Sequence, residues 1–157
     1  MWNRVVDTLV VEFSSGGDAE QVTRTLARLL LAAFLGSVLG YEREQHGKAA
    51  GIRTHMLVAM GAALLVLVPQ QAGMVIADMS RVIQGLVAGV GFLGAGAIIK
   101  SRTEQDVHGL TTAAGIWMTA AIGVACGLGR EVTAVLATVL SLIVLALVPK
   151  PSRGDER

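Results

Sequence analysis

GLTTAAGIWMTAAIGVACGL, residues 109–128, holds no charged side chain in twenty positions. A helix that crosses a bilayer needs about 20 predominantly apolar residues. Val82 to Ile99 and Val132 to Val148 are also free of charge, over eighteen and seventeen residues. Apolar residues make up 53% of the 157-residue chain, 16% are charged, and the mean hydropathy is +0.62. A water-soluble bundle needs polar residues on about half of each helix, and this composition cannot supply them. The chain reads as an all-α, polytopic membrane protein with about five transmembrane helices, at roughly 22–41, 52–68, 82–99, 109–128 and 132–148. The second is short and ends at Pro69, which implies tilt or local thinning.

The start, MWNRVVDTLVVEF, sets Trp2, Val5, Val6, Leu9, Val10 and Phe13 on one helical face and Asn3, Arg4, Asp7 and Glu12 on the other. It is too polar to span and reads as an interfacial helix. The organisation expected is an amphipathic segment and linker (1–18), a transmembrane domain (19–149) and a short cytoplasmic tail (150–157). No cleavable signal-peptide pattern is present. Arg28, near the start of the first span, reads as a snorkelling side chain. The lone Cys126 allows no disulfide within the chain. Eight Lys and Arg fall in the first loop, the third loop and the tail, against five on the other side. The positive-inside rule then puts the C-terminus in the cytoplasm.

Residues 34–54, FLGSVLGYEREQHGKAAGIRT, align without gaps to 92–112, FLGAGAIIKSRTEQDVHGLTT, at an offset of 58. FLG matches at one end and a Gly-apolar-x-Thr at the other. The pattern reads as two parallel-repeat helical hairpins plus a fifth helix. Equivalent positions pair Glu42 with Lys100, Glu44 with Arg102, His46 with Glu104, and Lys48 with Asp106. The two loops could therefore hold each other electrostatically.

YEREQHGKAAGIRTH, residues 41–55, packs seven ionisable side chains into fifteen positions. As a recognition surface in the cytoplasmic loops, the candidates are Glu42, Arg43, Glu44, Lys48, Arg53, Thr54, Lys100, Arg102 and Asp106. A Mg²⁺ ion prefers one or two carboxylates plus water, and Glu42, Glu44, Glu104 and Asp106 could offer them, although basic neighbours already neutralise these acids. His46, His55 and His108 lack zinc-ligand spacing. Glu42, Arg53 and His55 sit where helices enter the bilayer, as snorkelling anchors or as marks of an ion pathway. Ser37, Thr111 and Thr112 have no base beside them, so no enzyme is expected. Neither a cofactor nor a nucleic-acid partner is expected.

Small residues recur at helical spacing: Ala32, Gly36 and Gly40 in the first span; Gly85, Gly89, Gly91, Gly94 and Gly96 in the third; Gly123 and Gly127 in the fourth. Such residues let membrane helices approach closely. Three readings stay open for the third span: packing within one subunit, a bent or broken helix that frees carbonyls for an ion, and a homo-oligomer interface.

Four ordered blocks, YERExxGKAAGIRTHxLVxxGAAL (41–64), DMSRVIQG (78–85), GFLGAGAIIK (91–100) and GLTTAAGIW (109–117), resemble the MgtC/SapB family of bacterial inner-membrane proteins. The resemblance runs from about Leu26 to Val148. It implies a five-helix inner-membrane domain linked to magnesium limitation and, in some members, to survival inside host cells. Magnesium transport and regulation of other membrane complexes are the family's competing roles. The positions carried over are Glu42, Arg43, Glu44, Gly47, Lys48, Gly51, Arg53 and Thr54, with Asp78 and Arg81 in the outer loop. In the second half they are Gly91, Phe92, Gly94, Gly96, Gly109, Thr111, Thr112 and Trp117. Several members carry a soluble C-terminal domain, whereas this sequence stops nine residues after Val148. The expected role is modulation of another membrane complex, with ion transport at the third helix as the alternative.

Overall fold

The computed structural model describes residues 1–14, 19–100 and 107–147. Six helices follow one another: α1 Trp2–Ser14, α2 Ala19–Gln45, α3 Ile52–Gln71, α4 Ile76–Ala97, α5 Leu110–Gly127 and α6 Glu131–Leu147. Between α4 and α5 a two-residue ladder pairs Ile99 with His108 and Lys100 with Val107. Helices α2 to α5 are long and apolar enough to cross a membrane, and α6 is a shorter apolar helix of 17 residues. The outward surface fits that reading. Leu30, Phe34, Leu57, Leu65, Phe92, Leu136 and Leu140 all point away from the bundle, as side chains that face lipid must. Trp2, Val5, Val6, Leu9 and Val10 on the apolar face of α1 are likewise exposed.

Three element bounds differ from the sequence reading. The first span does not stop at Tyr41: α2 continues to Gln45, so Glu42, Arg43 and Glu44 stand on its last turn. Arg53 and Thr54 stand on the first turn of α3, so the connection itself is short. Helix α3 also runs through Pro69 to Gln71. A proline this close to a helix end forfeits one backbone bond while its fixed φ still suits the helix, and the next N–H groups bond on, Ala72 to the Val68 carbonyl at 3.0 Å. Asp78 and Arg81, read as an outer loop, lie in the first turns of α4, where an acid such as Asp78 complements the helix dipole.

The core is built from small side chains. Ala32, Leu35 and Leu39 of α2 meet Ala59 and Ala63 of α3, Ile122 and Cys126 of α5 and Ala134 of α6. A second cluster joins Ala62 of α3, Leu86 and Val90 of α4, and Ile116 and Ala120 of α5. Gly36 and Gly40 bring α2 onto α3: a Cβ at Gly36 would stand 2.7 Å from the His55 carbonyl oxygen, and one at Gly40 would stand 2.6 Å from Ile52 Cα. Alanine and glycine at these crossings let backbones touch, which is the main source of attraction between helices in lipid.

Candidate functional site

At the end of the bundle where α2 meets α3, the charged cluster is folded in on itself. The Arg43 side chain is buried, 5% exposed, and its Nε donates to Glu42 Oε2. His46 Nδ1 lies 2.8 Å from the Glu42 carbonyl oxygen and 3.1 Å from Glu42 Oε1. Glu44 Oε2 accepts a hydrogen bond from the Ile52 N–H at 3.0 Å. It thereby satisfies one of the free donors at the start of α3, and Gly51 leaves room for the carboxylate: a Cβ there would stand 2.5 Å from Glu44 Oε2. Arg53 and Thr54 face outward. The Lys100 side chain and residues Arg102, Glu104 and Asp106, with the loop pairing expected of them, lie outside the described residues. Of the four acids considered for Mg²⁺, Glu42 and Glu44 thus each have one carboxylate oxygen hydrogen-bonded to the protein, while Glu42 Oε1 is buried without a hydrogen-bond partner. Among the described residues no group of three or more His, Cys, Asp or Glu side chains could hold a metal ion.

His55 is not a snorkelling anchor. It is completely buried, with Nδ1 3.0 Å from the Gly51 carbonyl oxygen and Nε2 without a partner. A cavity of about 380 Å³ opens in front of it, between α2, α3, α5 and α6. Its polar lining is Arg43, His55, Thr111 and Ser141, and the rest is apolar. Gly115 of α5 lies against both groups: a Cβ there would stand in ordinary contact, 3.5 Å from His55 Nε2 and 3.8 Å from Arg43 Cδ. Thr112, one residue from the cavity-lining Thr111, is buried in the bundle.

The glycines of the third span do not break it: α4 is continuous from Ile76 to Ala97. Only Gly94 packs inward, where a Cβ would meet Ala113 Cβ at 3.6 Å; at Gly85, Gly89, Gly91 and Gly96 it would meet nothing within 4 Å. Gly85 and Gly89 instead line, with Gly61 of α3, an outward groove of about 560 Å³ between α3 and α4. Phe92, 79% exposed, and Trp117, 48% exposed, also face outward.

At the opposite end of the bundle, Arg28 closes the bundle instead of snorkelling freely. Its Nη1 donates to the Gly127 carbonyl at 2.9 Å and to Gln70 Oε1 at 3.0 Å. A cation there also complements the C-terminal dipole of α5. Removing it by Arg28→Ala is expected to cost about 1.5–3 kcal/mol, the range for hydrogen bonds to charged groups. Unfolding in mixed micelles would measure this, and Arg28→Lys should recover only part. The sequence signal for Arg28, His55 and Gly115 is weak: one polar or small residue within an apolar run.

A family model described as the MgtC family matches residues 29–153. The chain is 46% identical over 130 residues to SrpB of Synechococcus elongatus, covering 76% of this chain and 71% of that protein. It is 42% identical to YhiD of Escherichia coli (76% of this chain, 58% of that protein) and 43% identical to MgtC of Salmonella typhimurium (74% and 49%). The alignment therefore spans well under two thirds of YhiD and MgtC. No solved structure matches the chain. By the extent of the family match and the identity to these relatives, the chain belongs to the MgtC family.

Proposed function

We propose that this chain serves magnesium homeostasis in a bacterial inner membrane by docking against another membrane complex and modulating it. The observation that carries this reading is the groove between α3 and α4, floored by Gly61, Gly85 and Gly89. In lipid, a small-residue groove accepts a second helix at close range, because backbone contact and dispersion replace the hydrophobic effect as the driving force. Magnesium enters through the relatives, since YhiD bears the name putative magnesium transporter. By the positive-inside rule the α2–α3 connection faces the cytoplasm.

That name also favours the second reading, an ion transporter with its pathway at α4. Against it stand the unbroken α4 helix and the outward direction of its open glycines. An ion path needs polar groups or freed carbonyls inside the bundle. The repeat reading has its own support: Gly36 sits on His55, Gly94 sits on Ala113, and each member of the first pair precedes its counterpart by 58 residues.

Two measurements separate the readings. Liposomes holding the pure protein and an internal magnesium dye are expected to show no flux, with or without a membrane potential. Growth at limiting magnesium, in a strain that depends on this gene, should be lost with Gly85→Leu plus Gly89→Leu while the protein remains folded and inserted. Flux that this double variant abolishes would sink the docking reading and establish transport.

A further inference from the structure

The His55 cavity fits neither a magnesium ion nor a partner helix, and its chemistry points elsewhere. His55 Nδ1 faces the Gly51 carbonyl, so in the neutral imidazole that nitrogen carries the proton and Nε2 is a hydrogen-bond acceptor. Nε2 is buried, unpartnered and on the cavity wall. A buried polar atom left unpaired costs about 1–3 kcal/mol, so the site is incomplete without a donor. Beside it, across Gly115, stands the Cδ of Arg43, a side chain that can only donate and whose Nε already donates to Glu42. A group that satisfies both donates to one and accepts from the other. A protonated oxyacid does this: its O–H reaches Nε2 and its second oxygen accepts from the guanidinium. If the proton passes to Nε2, the same two contacts hold the anion between the imidazolium and an Arg43 whose Nε is already paired with Glu42.

Beyond these groups the wall is apolar, formed by Leu39 of α2, Met118 of α5 and Leu140, Val144 and Leu145 of α6. Met118, Leu140 and Val144 are exposed on the lipid-facing surface, so the cavity opens sideways into the bilayer. Its volume falls within the range of about 300–1,000 Å³ typical of small-ligand sites. A divalent cation is disfavoured because no carboxylate lines the cavity, and a wholly polar anion by the apolar wall.

We propose that the cavity between α2, α3, α5 and α6 binds a single-chain amphiphile with an oxyacid head, the acid bridging Arg43 and His55 and the chain lying against α5 and α6. The head is a carboxylic acid or a phosphomonoester, and the test distinguishes them. The full-length protein, purified in nonionic detergent, is titrated separately with a long-chain fatty acid, its methyl ester, an alkyl phosphate and inorganic phosphate, and native mass spectrometry counts the bound molecules. One fatty acid or one alkyl phosphate per chain is expected, whichever binds more tightly naming the head. The methyl ester, unable to donate and carrying no charge, should bind more than about tenfold more weakly, as loss of a charge-assisted hydrogen bond implies. Gly115→Leu should abolish binding by filling the space. Ala114→Trp, placed at an exposed position on the cavity rim, should do the same without touching the core, so misfolding of the first variant would not decide the outcome. Equal binding of the methyl ester, binding of inorganic phosphate alone, or binding that survives in Ala114→Trp would each overturn the proposal.

Discussion

Gly123→Ala is expected to force α3 and α5 apart and to cost about 3 kcal/mol, the upper part of the usual range for overpacking a close-packed core. The added Cβ would stand 2.2 Å from the Ala59 carbonyl oxygen and 2.9 Å from Ala59 Cα. These are backbone atoms, so no rotamer change can relieve the clash, and the helices must move. Gly127, one turn on, makes the same kind of contact with Ala63 at 2.4 Å, so the displacement cannot be absorbed by pivoting at that end. Cys126 lies on this interface, fully buried and the chain's single thiol, which makes it a reporter. Maleimide labelling of Cys126 should be slow in the parent and fast in Gly123→Ala. The same substitution at Gly89 is the control. A Cβ there meets nothing within 4 Å, and alanine is about 0.8–1.0 kcal/mol better than glycine inside a helix, so Gly89→Ala should leave labelling slow and stability unchanged or raised. Equal effects at the two sites would mean that α3 and α5 do not pack as described.

The contrast between Gly123 and Gly89 also marks the limit of what the sequence makes legible. Spacing shows that both helices carry small residues, because a four-residue interval repeats on one helical face. It does not show which of those faces has a partner. The bilayer-spanning character is readable because twenty uncharged residues admit few other environments, and the core of each span falls where the sequence puts it for the same reason. Ends are less readable. Glu42, Arg43 and Glu44 look like loop residues because a lone charge is costly in hydrocarbon, yet the last turn of α2 tolerates them because Glu42 holds Arg43 and Glu44 caps α3. His55 is visible as a histidine near the start of the second span. Its burial follows from packing against Gly36 of α2 and Gly115 of α5, and neither contact lies within its own helix.

Those contacts also explain why the two described halves of the charged cluster behave differently. Glu42 and Glu44 are held by neighbours within ten residues, so their geometry is a local property of the α2–α3 turn. The cavity that Arg43 and His55 line is completed by α5 and α6, elements more than fifty residues away, although Arg43 also donates to Glu42. A cluster that looks uniform in sequence is therefore a turn-stabilising network on one side and a cavity wall on the other.

The second large effect is expected at Gly109, the residue before α5. Its φ of 94° lies in the left-handed region, where a side chain costs roughly 1–3 kcal/mol. A Cβ would also stand 2.0 Å from the carbonyl oxygen of Ala97, the last residue of α4. Strain and clash can be separated because Gly47 has φ 63° and a Cβ there would meet nothing within 4 Å. Gly47→Ala should therefore show strain alone, about 1–2 kcal/mol, whereas Gly109→Ala should exceed it clearly. Chemical unfolding of both variants in the same mixed micelles gives the difference directly. The consequence reaches the cavity, because the Gly109 carbonyl accepts the first α5 bond from the Ala113 N–H at 2.8 Å and so sets the position of Thr111 on the cavity wall. Gly109→Ala is then expected to weaken amphiphile binding as well as stability, while Gly47→Ala, at the end of α2 and outside the cavity wall, leaves binding intact. Identical losses of stability for the two variants would show that α4 and α5 do not meet at Ala97.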